Sequence, residues 1–541
     1  MAFESAARAL SKNSRIPTTN KEAAEEAEGD TAPQPQNLRL ALLAVYAAVF
    51  LANYAMTMPA ALSGILQQTF DATGSQLSWI SACFFIPTAA LELTFAVIGD
   101  RFGRKRLLVI GSLGVALGVA IGAVAPGVPT LLVGQAIAGT GAAILFPTTL
   151  TCVAALTPDP RSRARGIGMW AMAMAIGAAT GPLCSGLIGL NDSYRPAYWV
   201  LFGVAIATAV ISLLFARGTH RVTNARSVDA VGQTLFAAGL IVLLYGVIEG
   251  ANAGYGSALI VSALAVGAAL LAAFVVVEYK VAFPLIDFRL FKNPTYSGAT
   301  LVGLVNAVGF YGFNYCVSMR VGVIQDQNSL IVGLTSTIQV VVPLVLWPVI
   351  GRLLYRVQPR WVLVAGLGAT ATAQLVLAAV PLHMRSLLAL TPSLLLAGFG
   401  FVAVTSVTAA CVVDVPKQHE GIASGTINMA RHVGAAVGIA AMGAVALARA
   451  TATLPTHFAE NGITGQALAI VKHVLDLGGP VAVAHADLGA LTPQSSAAGA
   501  AALWDGYALA FVVCGMCSVA AIVIALFMIR LKPRNETVEA V

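Results

Sequence analysis

The sequence predicts an all-α polytopic membrane protein, and three observations carry that reading. Of its 541 residues 58% are hydrophobic and only 10% charged, where a water-soluble chain carries roughly 25% charge. Mean hydropathy is +0.83. The apolar residues gather into fourteen runs, each about the length that crosses a ~30 Å hydrocarbon core as a helix, and the cations fall between them in a one-sided pattern.

The densest knot of charge is Gly99-Asp100-Arg101-Phe102-Gly103-Arg104-Lys105-Arg106, between apolar runs at 77–99 and 107–125. Four cations in eight residues cannot sit in lipid, so this stretch is a tight turn on one membrane face, and Lys/Arg bias in short loops makes that face cytoplasmic. Before it, residues 1–37 are polar and mixed in charge and read as a disordered cytoplasmic extension without a cleavable signal peptide. The runs then occupy 38–62, 77–99, 107–125, 130–156, 166–190, 197–217 and 229–249, followed by 257–279, 295–319, 329–350, 361–381, 387–413, 421–448 and 505–529. Fourteen spans place both termini inside.

The charges test that topology. Of 31 Lys and Arg, the segments expected to be cytoplasmic hold 25 and the outer loops five: Arg195, Arg320, Arg385, Arg449 and Lys472. Arg431 alone lies within a span. One missed helix would invert every later loop, so the skew supports the whole assignment. The long outer segment 449–504 contains GQALAIVKHVLDLGG, which reads either as a surface amphipathic helix or as a plain connector.

Several function classes drop out. The net charge of +7 lies in topogenic loops and does not point to nucleic acid. The seven cysteines fall almost wholly inside apolar runs, with no metal or disulfide spacing. His383 and His457 sit in outer loops and nothing recommends them as metal ligands. Glu249, Glu278 and Asp414 stand at span ends, where solvation is expected. No phosphate-binding GxxxxGK[ST] is present, no nucleophile constellation stands out, and no cofactor or obligate protein partner is indicated. The expected partners are the bilayer, a small-molecule substrate, and protons or another coupling ion.

Gly99, Asp100, Arg101, Gly103 and Arg104, in the loop after the second span, resemble the G-x(3)-D-R-x-G-R-[RK] signature of the major facilitator superfamily. In the fifth span Gly177, Gly181, Pro182 and Gly186 match that family's antiporter-associated G-x(3)-G-P-x(2)-G-G, except that Ser185 replaces a glycine. With fourteen spans the chain resembles the drug:proton antiporter branch. PLIDFRLFKNPTYSG (284–298) and EGIASGTINMARHVGAAVGIAAMG (420–443) are similar to stretches of that branch, and GRLLYRVQPR (351–360) resembles a degenerate second copy of the opening motif, with Tyr355 for Asp. The resemblance covers about 35–535. It implies the major facilitator fold: an N-terminal six-helix bundle at 38–217, two inserted helices and a linker at 218–294, and a C-terminal bundle at 295–541, rocking about a central site.

The chain departs from the branch where proton coupling is usually placed. Asn53, Tyr54 and Thr57 supply the first span's polarity where an Asp is usual, and Gln135 occupies the Arg position of the fourth. Loss of both members of an opposite pair leaves no orphan charge. Two ionisable residues remain at membrane depth: Glu92, about 12 Å above Asp100, and Arg431, about 15 Å into the thirteenth span at 1.5 Å per residue. The resemblance implies that their helices cross between the bundles, so Glu92 and Arg431 are the proton-coupling candidates, expected to approach one another in one access state. The alternative is a structural carboxylate and a helix-interface Arg. For a cavity the candidates are Asn53, Gln135, Asn306, Tyr311, Asn314 and Gln339. They would line a largely neutral, aromatic-walled pocket, or bind helices together. Asp100 is placed to latch onto the positive N-terminal end of the thirteenth span. The function these features imply is alternating-access export of a small organic compound, a drug or metabolite, driven by protons or another ion gradient. An uncoupled facilitator or importer is the alternative, and a non-transporting sensor a third.

Overall fold

In the computed structural model, residues 35–157, 159–216, 229–281, 283–410 and 420–529 are described, and they contain helices and no strand. Fourteen helices correspond to the fourteen runs. They are α1 (Pro35–Ala61), α2 (Gly74–Ala82 continuing as Phe85–Phe102), α3 (Arg104–Ala123), α4 (Val128–Leu156), α5 (Pro160–Ile188), α6 (Arg195–Phe215) and α7 (Ala230–Ala253). Next come α8 (Ala258–Glu278), α9 (Pro294–Ser318), α10 (Ser329–Arg356), α11 (Pro359–Ala379), α12 (Leu387–Ala410), α13 (Glu420–Glu460) and α14 (Thr492–Met528).

Local chemistry sets the boundaries. Asp159, Asp229, Asn293 and Asn328 accept from the backbone N–H groups of Ser162, Gly232, Thr295 and Ile331 at 2.9–3.0 Å, which starts α5, α7, α9 and α10 with satisfied donors. Thr73 and Gln76 form a reciprocal capping box ahead of α2. The break in α2 at Cys83–Phe84 lies where Pro87 has no N–H to give the carbonyl four residues earlier. Gly103, at φ 94°, makes the tight α2–α3 link in a conformation costly for any residue with a Cβ.

Helices α1–α6 pack on one another, as do α9–α14, and α5 against α10 and α2 against α13 join the two sets. The pair α7–α8 stands beside α2 and α13. Helix α8 buries only Ile260, Gly267, Phe274 and Glu278, a narrow seam, and exposes Leu259, Val261, Val266, Val275 and Val276. A helix apolar all round and so little covered is built to face lipid.

The structure changes the reading of the outer segment 449–504. Helix α13 runs 41 residues and α14 37, well beyond what a bilayer needs. Between them a helix spans Gly465–His485. Fifteen described helices are therefore long and apolar enough to cross a membrane. This fifteenth is broken at Gly479 (φ 71°), and the piece before the break extends only ~21 Å, so it caps the far ends of α13 and α14 and does not span. Of the two readings of GQALAIVKHVLDLGG the structure shows the helix, and the segments flanking it are mostly helix too, because helices supported by neighbours need not stop where hydropathy does.

Two more expectations change. Glu278 is buried, accepting the Ile286 N–H at 3.0 Å, and Glu249 accepts the Trp79 indole N–H at 2.8 Å. Arg320, read as an outer-loop cation, is 0% exposed because α9 continues through a π-turn, Met319–Ile324. Its guanidinium donates to the carbonyls of Leu377, Val380 and Pro381 at 2.8–3.3 Å, capping α11, and lies 4.3 Å from the Trp504 ring centroid. Arg320→Ala is expected to cost about 3 kcal/mol, read as a fall in the thermal midpoint of detergent-purified protein; Lys, which lacks the planar fork, should restore only part of it.

Candidate functional site

A cavity of about 1000 Å³ lies between the two sets of helices. Along α2 it follows the chain from Leu77 to Val97, about 30 Å of helix. It reaches Thr151, Ile167, Thr408 and Ile422 near the face that carries the 99–106 turn, here the basic face, where Phe283, Pro284 and Leu285 of the α8–α9 linker join its wall.

The far face is shut by contacts between the two halves. Ser63 Oγ lies 3.0 Å from Ser318 Oγ, Ser318 donates to the Ala60 carbonyl, and Gln68 donates to Asp326 at 2.9 Å. Ser329 donates to the Gly186 carbonyl at 2.8 Å and Thr337 to that of Ala179 at 3.3 Å. These bonds need backbones in near contact, and glycine makes that possible. A Cβ on Gly333 would strike the Pro182 carbonyl, and one on Gly186 would come within 2.6 Å of the Ser329 carbonyl oxygen. The fifth-span motif thus works on two neighbours: Gly177 and Gly181 seat α5 on α1 at Phe50, Tyr54 and Thr57, while Pro182 and Gly186 seat it on α10.

On the basic face Arg104 donates to the Thr151 carbonyl at 2.9 Å, and Arg163 reaches the Thr157 carbonyl at 3.2 Å, so cations meet the negative end of α4. Arg101 is exposed over Phe102. Gly99 packs near Leu107. The Asp100 carboxylate lies outside the described residues, as do the Tyr355 side chain and Asp414.

At the centre stands a contact between a carboxyl group and an imidazole. Glu92 Oε2 of α2 lies 2.7 Å from His432 Nδ1 of α13, both largely shielded, with the His432 ring 5.1 Å from that of Phe146. The partner of Glu92 is therefore His432, whereas the sequence pointed to Arg431. A residue along a helix is about 100° of rotation, and Arg431 turns instead to Phe401 (5.8 Å to the ring centroid), Asn428 (3.5 Å) and the Tyr311 hydroxyl. Both residues border the cavity.

Of the polar candidates, Asn53, Tyr311, Asn314 and Gln339 line the cavity and Gln135 and Asn306 do not. Gln135 donates to the Tyr198 hydroxyl at 3.0 Å and ties α4 to α6. Asn306 is buried in the packed face of α9. Sequence reasoning missed Phe401, stacked on Phe310 at 4.8 Å, Phe85, 5.3 Å from Tyr311, and Trp170; aromatic residues in apolar spans give no signal of which face they take. No group of His, Cys, Asp and Glu among the described residues is arranged to hold a metal.

Comparison with known proteins agrees with this architecture. The family model described as Major Facilitator Superfamily matches residues 43–439. The chain is 28% identical to the Multidrug resistance protein Stp of Mycobacterium tuberculosis, over 72% of this chain and 73% of that one. It is also 28% identical to the Multidrug efflux pump LfrA of Mycolicibacterium smegmatis, over 84% and 89%. With the Tetracenomycin C resistance and export protein of Streptomyces glaucescens it shares 24% identity over 92% and 93%. In structure it resembles a bacterial homolog of the human lysosomal transporter Spinster, with a TM-score of 0.62 at 16% identity over 93% of this chain and 100% of that one. Cavity, helix arrangement and family model agree: the chain is a multi-pass membrane transporter and belongs to the Major Facilitator Superfamily.

Proposed function

We propose that this protein exports small organic compounds, drugs or metabolites, across the cell membrane in exchange for protons, with the basic face and both termini cytoplasmic. The observation that carries the reading is a cavity of about 1000 Å³, shut on the far face and running toward the basic face, with a carboxylate–imidazole pair in its wall. Drug resistance and efflux in the names of the relatives supports export, and the excess of cations in the segments on the basic face supports the orientation.

The moving bodies are the two halves, residues 38–217 and 295–541, with α7 and α8 between. Glu92 and His432 belong to different halves, so their 2.7 Å contact exists only while α2 and α13 are together at that level. Forming it favours the carboxylate and expels the carboxyl proton to the cytoplasm; once the far face opens and the halves part at this level, the carboxylate takes up a proton from outside, which neutralises it for the return. One proton then enters for each return of the empty carrier.

The test is transport of a compound panel into inside-out vesicles, with and without an imposed pH gradient. An acid vesicle interior is expected to drive accumulation, and collapse of the gradient to stop it. Accumulation indifferent to the gradient would favour the uncoupled facilitator, a reading that the neutral Asn53 and Gln135 keep alive.

A further inference from the structure

Besides its tyrosines, the cavity wall contains three acidic or basic side chains among the described residues, Glu92, Arg431 and His432. Two of them satisfy each other, His432 Nδ1 with Glu92 Oε2 at 2.7 Å. That leaves the guanidinium of Arg431. Its described contacts are all with neutral groups: the face of Phe401, the Asn428 amide at a long 3.5 Å, and the Tyr311 hydroxyl. An always-charged group held in a largely apolar cavity without a carboxylate is costly to keep. Its fork of donors is suited to a planar anion.

We propose that Arg431 is the anchor for an anionic group (carboxylate, phenolate or enolate) carried on a planar aromatic substrate. This rests on the transport reading above and names the substrate class of that same cavity. The surroundings fit the rest of such a molecule. Phe310 and Phe401 stack at 4.8 Å beside the guanidinium, and Tyr311 meets Phe85 and Phe310 edge-on at 5.3 and 5.6 Å, giving apolar ring surfaces around one cation. Asn314, one turn along α9 from Phe310 and Tyr311, and Gln339 of α10 add polar groups to the wall, and Gln339 Oε1 has no partner. An aromatic cation would find the same rings but also a fixed like charge in a low-dielectric space, so the cavity selects against it.

Binding to the purified full-length protein in phosphatidylcholine liposomes tests this with three probes of one shape: 2-anthroate, 2-(hydroxymethyl)anthracene and 2-(aminomethyl)anthracene, read by quenching of tryptophan fluorescence. Wild-type protein is expected to bind anthroate at least about tenfold more tightly than the amine. Arg431→Gln should weaken anthroate by roughly 10- to 100-fold and leave the alcohol unchanged, which also reports an intact cavity; Arg431→Lys should fall between. Tightest binding of the amine, undiminished anthroate binding by Arg431→Gln, or equal loss of all three probes would overturn the anchor. Anthroate binding that depends on Arg431 with no transport of any probe would support the anchor and sink the transport reading instead.

Discussion

Glu92→Gln is expected to abolish proton-driven accumulation, by roughly 100-fold or more, while substrate exchange at equal pH on both sides stays within about threefold. Gln is isosteric and still accepts a hydrogen bond from His432, so the 2.7 Å contact survives as a neutral one. What disappears is the ability to gain and lose a proton as the contact breaks and forms. Exchange needs only the loaded carrier to cross in both directions, with no net proton movement, so it should persist. His432→Leu tests the other side: the carboxylate loses its hydrogen-bond partner, and both accumulation and exchange should fall because an unpaired buried charge opposes closure of α2 on α13. Accumulation undiminished in Glu92→Gln would remove the pair from the coupling mechanism.

Gly333→Val is expected to act at the far face with comparable force. A Cβ at Gly333 would strike the Pro182 carbonyl oxygen, so a branched side chain there meets backbone, which cannot rotate away. Overpacking of about 1–3 kcal/mol against the closed far face shifts the balance of states roughly 5- to 150-fold toward the open one. Exchange and accumulation should fall together, unlike in Glu92→Gln, while expression and thermal midpoint stay near wild type because the clash exists in one state only. A collapse of both would mean that the α5–α10 contact is needed for folding rather than for cycling.

The fourteen membrane helices were legible because lipid imposes a length and a charge rule that the chain must obey residue by residue. The family was legible because the 99–106 turn and the Gly177–Gly186 stretch carry backbone requirements, a positive φ at Gly103 and near contact at Gly186, that only certain residues meet. Side-chain azimuth was not. Depth along the helix put Glu92 opposite the right part of α13, but choosing between Arg431 and His432 needs an angle that packing decides. Formal charge favoured Arg431, and hydrogen bonding favoured His432. Gln135 and Asn306 failed as cavity residues for the same reason: an amide in a span satisfies itself against either a neighbour or a cavity, and the sequence does not distinguish them. Arg320 was misplaced because a cation at a span end reads as solvated, whereas its side chain is long enough to find three carbonyls indoors.

The central claim is that the cavity is open to one side at a time and that this structure is the state with its far face closed. The most direct measurement is a spin-label distance across that face, with labels at Gln68 and Asp326, exposed residues whose side chains meet at 2.9 Å. Active protein in liposomes should show a short-distance population that gives way to a longer one on acidification or on cycling with substrate, and Gly333→Val should hold the longer one throughout. A single short distance under every condition, in a preparation that still transports, would contradict the account.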